Sequence, residues 1–289
     1  AAGTPFDRPG MWIWYVSSSH GGNLTKIIRQ ARRARIGTLY IKSADGTVLT
    51  SGTDYTVTYV NNTAPGTAAV LVTGKAGTAA EGLTETLTFT ITRAYFASKY
   101  GTTSATGTSW DDPMAPQTAL TAASTADSAG TPAEVRFKSG VYTNTATLTV
   151  TRPIVVRGGY LGAGGTSEAL DEAYPETTFS GNTSLGSTNV TTLFSVTAAV
   201  AGRENLIERC AFGHARDHGF NKSGASTLRF TTCRFFNNGW NYSAQINGRG
   251  LYAVGTSASE MSFEDCEFTG NRETLGTLDP GWGYGAHMT

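Results

Sequence analysis

The chain has 289 residues, 22 Lys and Arg against 22 Asp and Glu, and 15% charged residues, where an ordinary soluble domain carries about 25%. A formal net charge of zero gives no basic footprint for nucleic acid and no field to hold the chain on an anionic membrane, and no apolar run reaches the roughly 18 residues that span a bilayer. Thr is the commonest residue, Gly follows with 35, and 39% of residues are hydrophobic, a mix of β-branched side chains and turn formers that points to a mostly β chain and away from a helical bundle.

Texture divides the chain into residues 1–44, 45–93 and 94–289. The opening Ala1-Ala2-Gly3-Thr4-Pro5 lacks the basic and apolar regions of a signal peptide but suits what cleavage of one leaves behind. An apolar run, Met11-Trp12-Ile13-Trp14-Tyr15-Val16, reads as a strand. Ile27, Ile28, Ala31 and Ala34 then recur at helical spacing with Asn23 as N-cap, and Thr38-Leu39-Tyr40-Ile41 reads as a second strand. Lys26, Arg29, Arg32, Arg33 and Arg35 fall opposite the isoleucines, as the solvated face of an amphipathic helix would. GMWIWYV, the helix and GTLYIKSADG together resemble the first strand, helix and second strand of a bacterial glycosidase-like β/α barrel, over some forty residues of a fold that needs roughly 250.

Between 45 and 92, apolar and polar residues alternate with period two. Tyr55, Val57 and Tyr59 mark one strand, Ala68, Val70 and Val72 a second, Leu87, Phe89 and Ile91 a third. The same-face tyrosines are expected in a core rather than on a ligand. The text GTDYTVTYVNNTAPGTAAVLVTGKAG, closing on TLTFTIT, resembles the later strands of Ig-like repeats of bacterial cell-surface proteins. That resemblance implies a small β-sandwich that spaces or adheres, with early strands drawn from residues 11–50.

From 94 onward, SWDDP and a short helical stretch at Thr118–Ala123 lead into AEVRFKSGVY and IVVRGGY, short strands broken by glycine. Three cysteines, an odd number without paired short spacing, argue against a disulfide framework and against a metal site. They mark a repeat instead: NLIERCAF around Cys210, LRFTTCRFFNN around Cys233, MSFEDCEFTGN around Cys266. Two residues after each Cys stands Phe212, Phe235 or Phe268; five after stands Ala215, Asn238 or Asn271. Stacked units that cannot bury an apolar edge alone put like over like, which predicts a ladder of buried cysteines and phenylalanines with Asn238 and Asn271 at turns. Phe-x-x-Asn and the later Gly-rich elements at 248–252 and 283–287 resemble the repeat of polymorphic outer-membrane proteins, right-handed parallel β-helices of pectate-lyase-like architecture. The resemblance covers about 94–289. The fold class expected is therefore mostly β: a right-handed parallel β-helix (solenoid) preceded by a small Ig-like β-sandwich module with one short helix.

No nucleophile stands out. Asp111-Asp112, beside Pro113, reads as a helix cap rather than an acid/base pair. His214, Asp217 and His218 share a stretch without helical periodicity or a third ligand, and read as loop polar residues. Glycine runs lack the strand-to-helix setting of a phosphate loop, so neither a metal nor another cofactor is expected. The ligand-binding candidates are aromatic platforms with a polar neighbour: Trp240, Tyr242 and Arg249 after one repeat, Trp282 and Tyr284 after the next, suited to sugar rings, against the alternative that they pack long loops onto the wall. Export to the extracellular space or outer cell surface is expected, with a polysaccharide or host-surface glycan as partner. The chain stops at His287-Met288-Thr289 inside an expected strand, so a truncated end and end-to-end self-association are further expectations. Three readings stay open: adhesin or carbohydrate-contacting body, polysaccharide lyase or glycosidase, and self-assembling subunit.

Overall fold

A computed structural model of the chain describes residues 14–18, 25–27, 39–43, 48–181, 190–239, 249–254, 260–271 and 286–288. The chain divides into two compact units, Ala1–Ile91 and Thr92–Thr289.

In the first unit, β1 (Trp14–Ser18), β2 (Thr25–Ile27), β3 (Leu39–Ser43) and β4 (Val48–Leu49) form a sheet of order β2-β1-β3-β4. β1 and β3 are parallel, with Trp14 opposite Leu39, whereas β2 pairs antiparallel to β1, with Ile27 opposite Tyr15. The helix expected from Asn23 is thus corrected over its first turn: Thr25 and Ile27, β-branched, extend along β1 instead. Residues 28–38 lie outside the described residues.

The strands β5 (Tyr55–Val60), β6 (Gly66–Gly74) and β7 (Thr84–Ile91) make an antiparallel three-stranded sheet with β6 central. Its buried Tyr55 and Val72 share a core with Ile41 and Leu49 of the four-stranded sheet and with Ala80 and Leu83. Gly74 permits the chain to fold back there, because a Cβ would lie 1.6 Å from the Ala80 carbonyl oxygen. Tyr59, read as core, is 41% exposed near the strand end. Residues 55–91 themselves form one sheet, not two, and the helix among the described residues lies in the second unit.

There, β8 (Arg93–Thr102) and α1 (Pro116–Ser128) precede five tiers. Pro116 at the first helical turn presets φ, and α1 buries Ala119, Leu120 and Ala123. Ala115, not an aspartate, is its N-cap. Asp112 accepts from the Thr106 amide (2.8 Å) and hydroxyl (2.7 Å), and Asp111 from the Gly165 amide (2.7 Å). The acidic pair therefore fastens loops rather than capping the helix.

Each tier gives one strand to each of three parallel sheets. The tiers are β9 (Ala133–Lys138), β10 (Gly140–Thr143), β11 (Leu148–Val150); β12 (Val155–Tyr160), β13 (Thr177–Ser180), β14 (Thr192–Val196); β15 (Glu204–Glu208), β16 (Cys210–Gly213), β17 (His218–Ser223); β18 (Thr227–Thr231), β19 (Arg234–Phe236), β20 (Arg249–Val254); and β21 (Met261–Glu264), β22 (Glu267–Thr269), β23 (Ala286–Met288). β8 extends the sheet of β9, β12, β15, β18 and β21 to six strands; the other two sheets have five. The unit is mostly β with parallel sheets, a β-helix-like arrangement.

Register makes the core a set of columns. Tyr142, Phe179, Phe212, Phe235 and Phe268 face one another in successive tiers. The rings of Phe179 and Phe212, Phe212 and Phe235, and Phe235 and Phe268 stack at 5.6, 5.3 and 4.7 Å. Cys210 and Cys233 are buried and Cys266 half-buried, and Thr177 faces Cys210 in the same column one tier earlier. Between the first and second strands of the last three tiers the chain turns on a single left-handed residue: Arg209, Thr232 or Asp265, φ 53°, 54° and 53°. At the next corner, His214, Asn237 and Gly270 take φ 60°, 50° and 63°. Beside them runs an amide column. Asn238 Nδ2 donates to Phe212 O (3.0 Å) and Asn271 Oδ1 (2.9 Å), its Oδ1 accepts from the Ala215 amide (3.0 Å), and Asn271 Nδ2 donates to Phe235 O (2.9 Å).

Two departures from an apolar interior stand out. Lys222, 1% exposed, occupies the column of Val150, Val196 and Ala253, and its Nζ donates to Gly224 O at 3.1 Å. On the first sheet, Glu134 (1% exposed) is ion-paired to Arg136 and Arg157, and Arg157 to Glu208 at 2.9 Å. Burial would push the Glu134 carboxyl up, but Arg157 and Arg136 hold it below its ordinary value. Trp110, edge-on to Phe96 at 4.8 Å, packs alongside, its Nε1 donating to Ser167 O at 2.8 Å.

Candidate functional site

Polar side chains concentrate at the second corner of the third tier, residues 214–217, and on the adjoining strand β17. β16 ends in Gly213 because a Cβ there would meet the Phe236 ring at 2.3 Å. The left-handed turn of His214 then sets its ring edge-on to Phe236 at 5.1 Å and its Nδ1 3.1 Å from Ser180 Oγ of the tier before. Ser180 Oγ donates to Gly181 O at 2.9 Å. That bond leaves the hydroxyl oxygen to accept, so the contact is satisfied by a His214 that carries its proton on Nδ1 and presents Nε2 as an acceptor or base. Burial lowers the His214 pKa below the ordinary imidazole value, favouring the neutral ring at pH 7.

The rest of the corner is pinned to the second tier. Arg216 N donates to Val190 O (2.9 Å), Arg216 Nη2 to Thr191 Oγ1 (2.9 Å), and the amides of Asp217 and His218 both to Thr191 O (3.0 Å each). Asp217 is 6% exposed. Burial raises its carboxyl pKa, with Arg216 a partial counterweight whose Nε lies at 3.6 Å. The corner therefore sets a carboxyl shifted towards its protonated form three residues from an imidazole shifted towards its neutral form.

β17 carries the corner into a platform. The His218 ring stacks on Tyr252 of the next tier at 4.7 Å and 21°. Thr149, Ser195, Asn221 and Tyr252 stand in register along one row of the sheet. Asn221 Oδ1 is buried with no hydrogen-bond partner among the described residues. An aromatic and imidazole stack in line with a row of hydroxyl and amide side chains sets apolar and polar groups side by side, the combination that a sugar ring needs from a binding surface.

Of the residues singled out in the sequence, Arg249 pairs in register with His218, which places it at the platform's edge. Trp240, Tyr242, Trp282 and Tyr284 lie outside the described residues. Tyr252, Asn221 and Ser180 are not singled out in the sequence. Tyr252 does fall within the Gly-rich element at 248–252. Ser180 offers none, since only stacking of the tiers brings it to His214. Among the described residues, no group of three His, Cys, Asp or Glu is placed to hold a metal ion.

No family model matches the chain, and no curated protein matches it. Among solved structures, one that resembles it is the crystal structure of pectate lyase Pel9A, with 17% identity over 64% of this chain and a TM-score of 0.31. The match spans 65% of that structure's chain.

Proposed function

We propose that this protein is a secreted or surface-displayed bacterial carbohydrate-contacting protein, an adhesin whose tiers form a right-handed parallel β-helix of pectate-lyase-like type. The observation that carries this reading is the platform of His218 stacked on Tyr252 in line with the polar row of Thr149, Ser195 and Asn221. A sugar ring laid on the tyrosine would set its hydroxyls along that row. In this reading the strands of 45–91 are an Ig-like spacer. The ligand is a polysaccharide or host-surface glycan, and no nucleic acid takes part.

A second reading, a polysaccharide lyase or glycosidase on the same scaffold, is favoured by one observation. Asp217 and His214 share a corner with their pKa values displaced in opposite directions, as an acid and a base at one centre would be.

The test is a glycan-array binding assay with parallel product analysis on acidic and neutral polysaccharides, with and without Ca²⁺. Binding without turnover, weakened at least tenfold by Tyr252→Ala, supports the adhesin. Turnover that Asp217→Asn abolishes while binding persists selects the enzyme. Binding unchanged by Tyr252→Ala overturns the platform.

A further inference from the structure

The spacing of the cysteines argues against a disulfide framework, but the corner geometry brings two of them together. Arg209, Thr232 and Asp265 turn the first corner with φ 53°, 54° and 53°. Each aims the next thiol back at the carbonyl two residues earlier: Cys210 Sγ at Glu208 O, Cys233 Sγ at Thr231 O, Cys266 Sγ at Glu264 O, all 3.4 Å. One backbone turn and one thiol direction, repeated in register, stack the sulfurs along the tier axis. Arg234 faces Glu267 and the Glu267 amide donates to Cys233 O at 2.9 Å, so Cys233 and Cys266 are facing rungs. Both thiols leave their rungs in the same direction, Cys233 Sγ also lying 3.4 Å from Ile207 O.

Facing rungs of a parallel sheet lie about 4.7–4.9 Å apart, inside the Cα separation of roughly 4.4–6.8 Å that disulfides span. In-register side chains point the same way, so the two Cβ atoms start about a rung apart and must close by roughly 1 Å to reach the mean disulfide value. A bond formed there is strained and easily reduced. Access differs along the column: Cys266 is half-buried, while Cys233 and Cys210 are buried. The neighbouring Cys233 thiol brings the Cys266 thiol down to about 7, and burial pushes the Cys233 thiol well above its ordinary value. Cys266 is the attacking thiolate and Cys233 the resolving thiol.

We propose that Cys233 and Cys266 are a redox-active pair which a low-molecular-weight disulfide converts into a reversible staple between the fourth and fifth tiers. The Cys266 thiolate attacks one sulfur of the small disulfide, forming a mixed disulfide and expelling one small thiolate. Cys233 gives its proton to that thiolate and its sulfur displaces the second small thiol from Cys266. Two protein thiols are oxidised, one small disulfide is reduced to two thiols, and Cys210 stays reduced.

The experiment incubates the native chain with excess oxidised glutathione, traps residual thiols with an alkylating agent, and reads intact mass and peptide linkage. The expected product has lost two hydrogens, keeps one alkylatable thiol of the original three, yields a Cys233–Cys266 linked peptide, and reverts with dithiothreitol. Cys210→Ser forms the same link. Cys266→Ser, checked for an unchanged circular-dichroism spectrum, takes up no oxidising equivalents. Stable glutathione on Cys266, linkage through Cys210 or between two chains, or three thiols still alkylatable after the incubation would each overturn the pair.

Discussion

Asn238→Ala tests whether the amide column holds the tiers together. Asn238 is 0% exposed, and its side chain serves three groups on two neighbouring tiers: the Ala215 amide at 3.0 Å, Phe212 O at 3.0 Å and Asn271 Oδ1 at 2.9 Å. Alanine fits the volume, since Ala215 already occupies the equivalent position in the tier before. The Ala215 N–H and the Phe212 carbonyl would then be buried without these partners, each at about 1–3 kcal/mol. Asn271 Oδ1 keeps the Asn238 backbone amide as a donor at 3.2 Å and adds little. The expected loss is about 2–6 kcal/mol, read as a fall in the urea midpoint with an unchanged slope. Asn271→Ala is the internal comparison, because Asn271 is half-buried and water can reach what it leaves behind. A loss below about 1 kcal/mol for Asn238→Ala, or a larger loss for Asn271→Ala, would refute the reasoning.

Lys222→Met should stabilise the chain by about 1–3 kcal/mol, the cost of burying a polar group poorly matched. Burial lowers the Lys222 pKa, so between its folded value and 10.5 the unfolded chain binds more protons. Wild-type stability therefore rises with pH through that window, and the advantage of Met, followed by urea unfolding, shrinks as it does. Glu134→Gln should cost about 1–3 kcal/mol, since Arg136 and Arg157 lose their shared carboxylate but keep Glu168 and Glu208. Because the Glu134 pKa is lowered from 4.5, its contribution is complete above that value and fades as pH falls through the folded value; acid titration of the two proteins should converge. Cys233→Asp, at a position 2% exposed, should lower the unfolding midpoint sharply by burying an unpaired charge. An unchanged thermal unfolding curve would contradict its interior position.

The mostly β character and the parallel stacking are legible because a corner, a small residue and a phenylalanine recur at fixed offsets in the last three tiers. The second tier escapes that pattern: Thr177 stands where the later tiers carry Cys, and residues 161–176 separate β12 from its continuation. β2 escapes for another reason. Ile27, Ile28, Ala31 and Ala34 fit a helical period, but the pairing of Thr25–Ile27 with β1 is a long-range contact that no local period reports. Lys222 stands between Asn221 and Ser223 in the sequence, and only its column shows it inside. At the candidate site, His214, Asp217 and His218 are visible as polar residues of one short stretch. What gives them chemistry is not: Ser180 lies 34 residues before His214, and Tyr252 is brought to His218 by the pairing of β17 with β20.

The two corners answer differently to insertion. At the first, one residue joins β15 to β16 and two join β18 to β19, each join turning on a single left-handed residue; an added residue there would shift β-strand parity and turn a phenylalanine column outward. At the second, the column residues Ala215 and Asn238 are 23 positions apart, and Asn238 and Asn271 33 apart, yet the amide contacts are kept. The connection itself grows from four residues between β16 and β17 to twelve between β19 and β20, which costs only about 1 kcal/mol of loop-closure entropy, by (3/2)RT times the logarithm of the ratio. This edge of the protein is thus a place where length can drift at small thermodynamic cost, beside a platform whose side chains are fixed by tier register. New specificities can be sampled there by lengthening and shortening the connections while the columns behind them stay aligned.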